Sequence, residues 1–360
     1  MSSSWLNQIS TPALVVDYEI LRRNIQYMAK FAADCGVKLR PHVKTHKCSK
    51  IAHMQLEAGA EGICVAKLSE AEVFAVSGIK DILIANEIIS PDKIQRLLKL
   101  NQYTKTKVAV DSKTNIEDLN RFASKTDQVL DVLIDLNVGL NRTGVLPGEP
   151  ALELAQLISQ SPHLKLRGLQ AYEGQLTYIK NFEQKEEQTK AIMKTVVETK
   201  ELIENNGIAC ETISAGGSGT FMITGKYPGI TEIQPGTYVF NDHHINSYVP
   251  ELEIALTVLT TVNNMPAKEI VTLDMGSKSI SSDMGMPLFK GYGKSMKVLA
   301  LTEEHCQCTY GPSRKFKLGE KIEAIPAHVC TTVNLYDYFY VIKDGELIGK
   351  WDILARGMRE

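Results

Sequence analysis

From residue 37 to about residue 240, short runs rich in β-branched and apolar residues alternate with stretches of helical periodicity, and this alternation restricts the fold more than any other feature of the chain. The strand candidates are 37–43, 62–66, 81–85, 107–111, 131–137, 166–172, 211–215 and 232–240. Helix-like stretches lie between them at 48–57, 69–77, 91–100, 115–123, 150–159 and 182–205. Ser69 and Ser90 stand as caps, Pro91 at a first helical position and Gly207 past a last turn. Strands alternating with helices imply parallel strands joined by helical crossovers. About eight of them at this spacing favour a closed (β/α)8 TIM-type barrel over an open doubly wound sheet.

After Asn246 helical periodicity gives way to alternating apolar and polar residues with turn signals. Strands expected at 252–261, 269–273, 298–301, 321–325 and 338–342 predict an antiparallel β domain. The expected division is therefore a barrel over 11–246 and a β domain over 247–360. Residues 1–10 could also belong to the β domain, because Thr11-Pro12 separates them from the next apolar run.

The 360 residues, 44% apolar and 23% charged with a net charge of -2, fit a soluble globular chain with one large and one smaller domain and give no basis for a nucleic-acid partner. Asp17 interrupts the early apolar run 13–16, which is too short for a signal sequence. No segment approaches the roughly 18 to 20 apolar residues of a membrane span, so no membrane association is expected. Seven scattered cysteines fit reduced thiols, which predicts a cytoplasmic protein.

Catalytic groups of such a barrel sit where strands end and loops begin. The segment Arg40-Pro41-His42-Val43-Lys44-Thr45-His46-Lys47 packs two imidazoles, a guanidinium and two ammonium groups into eight residues. Unpaired, they would repel one another, so an anionic or electron-withdrawing occupant is expected, and the phosphorylated aldehyde pyridoxal phosphate satisfies both descriptions. Crowding with cations, or desolvation, lowers a lysine pKa and leaves the free amine that attacks an aldehyde, which points to Lys44. A solvated basic loop is the alternative.

Three further strand ends are unusual. The loop 137–144 is bracketed by Gly139 and Gly144 and carries Arg142, a rigid donor fork for a cofactor oxygen or a carboxylate, or else a structural arginine. In 170–174, Tyr172 either lies beside a cofactor ring or fills the rim. In Ser214-Ala215-Gly216-Gly217-Ser218-Gly219-Thr220, glycines let backbone N–H groups converge and hydroxyls add donors, a cradle for phosphate after the seventh strand of a barrel. The loop lacks the lysine and spacing of a nucleotide P-loop, and a plain flexible turn is the alternative.

In the β domain, His328 and Cys330 two apart on a strand would project to one face as an imidazole and a thiol, a pair suited to zinc or a similar divalent metal. Two ligands leave open positions for water and substrate. The segment 305–308, with His305, Cys306 and Cys308, has similar letters but no converging partner. Asp242, His243 and His244 could face the site or the surface.

Taken together, residues 11–17, 40–47, 139–144, 214–220 and 234–238, with His328-x-Cys330 followed by 332–335, resemble the D-threonine aldolase and D-serine dehydratase family from about residue 10 to the carboxyl end. That family is similar in fold to alanine racemase, a pyridoxal-phosphate barrel of fold type III with a β domain, working as a homodimer. The resemblance implies that Lys44 carries the cofactor as an internal aldimine and that Arg142 and Tyr172 contact it. It further implies that Gly216, Gly217, Ser218, Gly219 and Thr220 hold the phosphate, while His328 and Cys330 bind a divalent metal (Zn, Mn or Mg). A D-3-hydroxy amino acid is the implied substrate.

The resemblance gives mixed advice on the reaction. Aldolase members often carry aspartate at the second metal position and dehydratase members cysteine, as at Cys330, whereas 333–337 looks more like the aldolases. Retro-aldol cleavage to glycine and an aldehyde is favoured over dehydration to a 2-oxo acid and ammonia. Both begin with an electron sink at Cα and a metal on the β-hydroxyl. An amino-acid racemase would not need the metal pair, and a non-catalytic pyridoxal-phosphate-binding protein would not need the β domain.

Overall fold

A computed structural model of the chain describes residues 4–246 and 248–360. Two compact units emerge. One comprises the chain up to Tyr27 with Thr45–Lys50 and Thr237–Gly357, and the other Met28–Lys44, Ile51–Gly236 and Met358–Glu360. Residues 1–3, and residue 247 at the expected boundary, lie outside the described residues. β1 (Ala13–Asp17) leads directly into α1 (Tyr18–Cys35), a helix that the sequence reading does not anticipate.

The second unit is the barrel. β2 (Lys38–Leu39), β3 (Ile63–Val65), β4 (Asp81–Glu87), β5 (Lys105–Val110), β6 (Leu130–Asp135), β7 (Leu164–Ala171), β8 (Thr212–Ala215) and β9 (Glu232–Ile233) run parallel in the order β2-β9-β8-β7-β6-β5-β4-β3. The two ends of this row meet. His42 bridges Cys64 in parallel, and the Glu61 and Cys64 N–H groups donate to the Leu39 and Pro41 carbonyls, each at 2.9 Å. Central strands such as β4 and β6 bury continuous apolar runs, Ile82–Ile84 and Val132–Ile134, because both faces are covered.

Helices α2 (Ser49–Glu57), α3 (Leu68–Val76), α4 (Pro91–Asn101), α5 (Lys113–Ser124), α6 (Glu149–Ser159) and α7 (Phe182–Asn205) fall close to their expected positions. Ser90 is the N-cap of α4 with Pro91 inside it, and Asn181 caps α7 by accepting from the Gln184 N–H at 2.8 Å.

Two expected strands are much shorter than their apolar runs suggest. The run at 37–43 forms a strand only over Lys38–Leu39, with His42 as an isolated bridge, because Pro41 has no N–H to donate and Val43–Thr45 turns into a 3-10 helix. The run at 232–240 stops at Ile233, since Pro235 and Gly236 break it and Thr237–Val239 is again a 3-10 turn.

Arg40, 2% exposed, lies inside the barrel. Its Nε donates to Glu232 of β9 at 2.8 Å and its guanidinium to Asp81 of β4 at 2.6 Å; Lys107 donates to the same Asp81 oxygen at 2.8 Å. Burial opposes ionisation of Asp81, but Arg40 and Lys107 together hold its carboxyl below the usual range. A Cβ at Gly62 would stand 2.5 Å from the guanidinium, so only glycine leaves Arg40 its place.

The first unit carries β10 (Leu256–Ala267), β11 (Ile270–Leu273), β12 (Leu288–Phe289), β13 (Met296–Leu301), β14 (Cys306–Tyr310), β15 (Lys321–Ile325), β16 (Tyr338–Lys343) and β17 (Glu346–Asp352). Among the described residues these form with β1 a nine-stranded sheet, ordered β13-β14-β11-β10-β1-β16-β17 with β15 and β12 branching from β10. It is mixed rather than wholly antiparallel, because β1 pairs parallel with β16. Trp5 and Ile9 pack in a core cluster with Ala13, Val15, Leu259 and Ile342. The short helices α8 (Phe221–Thr224), α9 (His243–Asn246) and α10 (Val329–Val333) complete the chain. No helix among the described residues is long and apolar enough to cross a membrane.

Removing one partner of a buried ion pair costs about 3–5 kcal/mol, because the other charge stays buried and unpaired. Arg40→Met should therefore lower the melting temperature sharply in calorimetry. Lys38→Met, which removes an exposed pair with Glu61, should cost no more than about 1 kcal/mol.

Candidate active site

At the barrel mouth, Lys44 sits on the 3-10 turn that follows β2. Its Nζ is 5.9 Å from the centroid of the Tyr172 ring, and the Arg142 guanidinium carbon is 5.6 Å from the same centroid. Tyr172 follows β7, and its ring is wedged between two glycines. A Cβ at Gly217 would stand 2.9 Å from Cε2, and one at Gly174 would collide with Cε1. The Arg142 charge also acts on the neighbouring carboxyls of Glu87 and Asp135.

The loop Gly216–Thr220 leads into α8. Gly216 has φ +77°, a conformation that favours glycine. Its N–H donates to Glu173 Oε2 at 3.1 Å, while Thr224 Oγ1 donates to Glu173 Oε1 at 2.6 Å, so a fully buried carboxylate anchors the loop from beneath. The Gly217 N–H donates to Thr220 Oγ1 at 3.1 Å. Lys185, from α7, is buried and donates to the Thr177 and Gly219 carbonyls at 3.3 and 3.4 Å, and burial lowers its pKa. A cation behind a glycine-rich loop, with a ring packed on Gly217 where a side chain would intrude, fits a phosphate-bearing aromatic cofactor.

The neighbouring strand ends carry carboxyls that the sequence reading does not single out. Asp135 accepts from Gln170 Nε2 and Thr143 Oγ1, both at 2.8 Å, and Asp111 accepts from the Gly144 N–H at 3.1 Å. Glu87 ends β4 with Oε1 buried and, among the described residues, without a hydrogen-bond partner. Burial, then the charges of Asp135 and Asp111, push its carboxyl up to about 7 against the pull of Arg142.

In the β unit the strand expected for His328 and Cys330 is not formed. His328 is the extended N-cap of α10, and Cys330 lies in its first turn. An N-cap followed by a helical turn nevertheless brings the two side chains together. Burial opposes protonation of His328, but its contacts with Cys330 and Asp283 push its pKa up to about 9. Asp283 Oδ2 is 2.8 Å from His328 Nδ1. Thr45, the residue after Lys44, places Oγ1 3.3 Å from Cys330 Sγ, with Thr237 Oγ1 at 4.0 Å.

An imidazole beside a thiol suits a zinc-like ion. Among the described residues no group of three or more His, Cys, Asp or Glu is arranged to hold a metal, so this pair would leave several coordination positions open. Cys306 and Cys308 face one another, buried, at 3.6 Å in β14. Asp242 accepts from the Ile245 N–H at 2.8 Å and the Val329 N–H at 3.4 Å, tying α9 to α10.

Residues 16–244 match the family model described as "Alanine racemase, N-terminal domain", and residues 255–342 match "Putative serine dehydratase domain". The chain is 35% identical to a D-threonine aldolase of Arthrobacter sp over 98% of its own length and 94% of the relative's. It belongs to the D-threonine aldolase-like lyases of the alanine racemase fold. The solved structure of D-threonine aldolase from Filomicrobium marinum aligns with this lyase at a TM-score of 0.95 and 33% identity, covering 98% and 97% of the two chains. D-threo-3-hydroxyaspartate dehydratase from Delftia sp. HT23 aligns at 0.87 and 26%, covering 97% and 98%. A cysteine-to-alanine variant of that dehydratase is known in a metal-free form.

For the lyase Glu87 gives a pH-dependent test. An acid whose folded pKa is raised destabilises the fold as pH rises from 4.5, its ordinary value, through about 7, and has no effect below that window. Glu87→Gln should therefore raise the melting temperature relative to the parent chain above about pH 7 and leave it unchanged below about pH 4.5.

Proposed function

We propose that the chain is a pyridoxal 5'-phosphate- and divalent-metal-dependent lyase that cleaves D-3-hydroxy amino acids, D-threonine foremost, to glycine and an aldehyde. The observation that carries this reading is the convergence of Lys44 and Arg142 on the Tyr172 ring beside the Gly216–Thr220 loop. When bound, pyridoxal phosphate supplies an electron sink for the charge that develops at the substrate Cα. Lys44 presents the amine that holds the cofactor's aldehyde carbon. Arg142 would supply a fixed positive charge to the bound cofactor, and Tyr172 would help hold it. Gly216, Gly217, Ser218, Gly219 and Thr220 receive the phosphate, with the Lys185 charge behind them.

A zinc, manganese or magnesium ion on His328 and Cys330 would act as a Lewis acid toward the substrate β-hydroxyl. The two residues hold the ion, and the positions they leave open admit water and substrate. Dehydration to a 2-oxo acid and ammonia is the second reading. Cys330 favours it, because cysteine at this position is the dehydratase pattern, and Lys44 would then take the Cα proton. The boundary near residue 246, a homodimer and a cytoplasmic location belong to the same proposal; seven free cysteines support the last.

The test is product analysis of the protein supplied with pyridoxal phosphate and a divalent metal, incubated separately with D-threonine and D-serine. Glycine and acetaldehyde from D-threonine are expected, and Lys44→Ala should abolish both this turnover and the bound cofactor's visible absorbance. 2-Oxobutanoate or pyruvate with ammonia would establish the dehydratase instead.

A further inference from the structure

The hydroxyls and carboxylate around His328 form a small closed network within the β unit. Asp283 Oδ2 meets His328 Nδ1 at 2.8 Å. Asp283 Oδ1 accepts from Ser281 Oγ at 2.8 Å and from Thr331 Oγ1, in the first turn of α10, at 3.0 Å. The Ser281 N–H donates to Thr332 Oγ1 at 3.2 Å, and that hydroxyl donates onward to the His328 carbonyl at 2.9 Å. The segment 281–283 is thereby tied at three points to the turn that carries both His328 and Cys330.

We infer that Asp283 is the positioning residue of this metal centre: by accepting from His328 Nδ1 it fixes the imidazole tautomer and ring angle, and leaves Nε2 as the nitrogen that takes the ion. The inference rests on the proposed metal role of His328 and Cys330. A carboxylate on the far nitrogen of a ligating histidine holds the ring in place and makes it a stronger donor. Asp283 does not act as a third ligand, because one of its oxygens is spent on Nδ1 and the other on two hydroxyls. Half exposed as it is, Asp283 is not needed to complete a core. Its position is explained by the hydrogen bonds it makes, and one of the two hydroxyls that lock it, that of Thr331, comes from the same turn as the ligands.

The experiment uses the full-length protein loaded with pyridoxal phosphate and measures zinc and manganese affinity by competition with a chromophoric chelator. Asp283→Ala, Asp283→Asn and His328→Ala are compared with the parent chain. Asp283→Ala should bind the ion about 10–100-fold more weakly, the usual effect of losing such a partner. Asp283→Asn, whose carbonyl still accepts, should fall between it and the parent. Nitrogen-15 spectra of the metal-loaded parent should show His328 protonated at Nδ1, a signature that Asp283→Ala blurs, while unchanged cofactor absorbance reports an intact fold. If Asp283→Ala binds metal like the parent while His328→Ala does not, the positioning role is wrong and the metal site stands. If His328→Ala also binds like the parent, the metal site and this inference fall together.

Discussion

The buried guanidinium of Arg40 is the contact on which the barrel mouth depends. β2 is a two-residue ladder with β9, continued by the Arg40 and His42 N–H groups donating to the Ile233 and Pro235 carbonyls. Arg40, directly after it, binds carboxylates from β9 and β4 at once, and the turn carrying Lys44 begins three residues later. An ion pair in a barrel interior adds little net stability over an apolar replacement of the same shape. What it supplies is register, since the charge can be satisfied in one place only.

The same economy runs through the mouth. Tyr172 is held by the absence of side chains at Gly174 and Gly217, and the Gly216–Thr220 loop by one buried carboxylate, Glu173, that accepts from the Gly216 N–H and from Thr224 Oγ1. Lys185 adds a cation from α7, donating to the Thr177 and Gly219 carbonyls. The β unit holds its imidazole and thiol by an unrelated device, an N-capped turn braced by Asp283, Thr331 and Thr332.

Much of this was legible in the sequence where the signal is local. The eight barrel strands follow from apolar runs buried on both faces, and α7 from a long periodic stretch with Gly207 past its last turn. Extents fail where backbone chemistry overrides composition: Pro41 and Pro235 cut short two runs whose residues favour strand. His328 and Cys330 sit on the N-cap and first turn of a short helix rather than on the expected strand, because a one-turn helix has too few residues to show a period. The helix α1 was missed, and so was the mixed character of the β sheet, since parallel pairing of β1 with β16 joins segments more than 300 residues apart. The basic segment invited an anionic occupant for all its charges, yet Arg40 is answered by Glu232 and Asp81, which no short motif connects to it. Asp283 and Glu87 carry no signal of their own; each matters through neighbours that only the fold supplies.

The central claim is that separate residues hold the cofactor and the metal, so that the two can be removed independently. The most direct measurement is the visible absorbance and the turnover of one sample before and after exhaustive chelation with metal content verified. Turnover should be lost while the absorbance of the lysine-bound cofactor persists, and added metal should restore turnover. Full turnover in verified metal-free protein, or loss of the cofactor together with the metal, would contradict that claim.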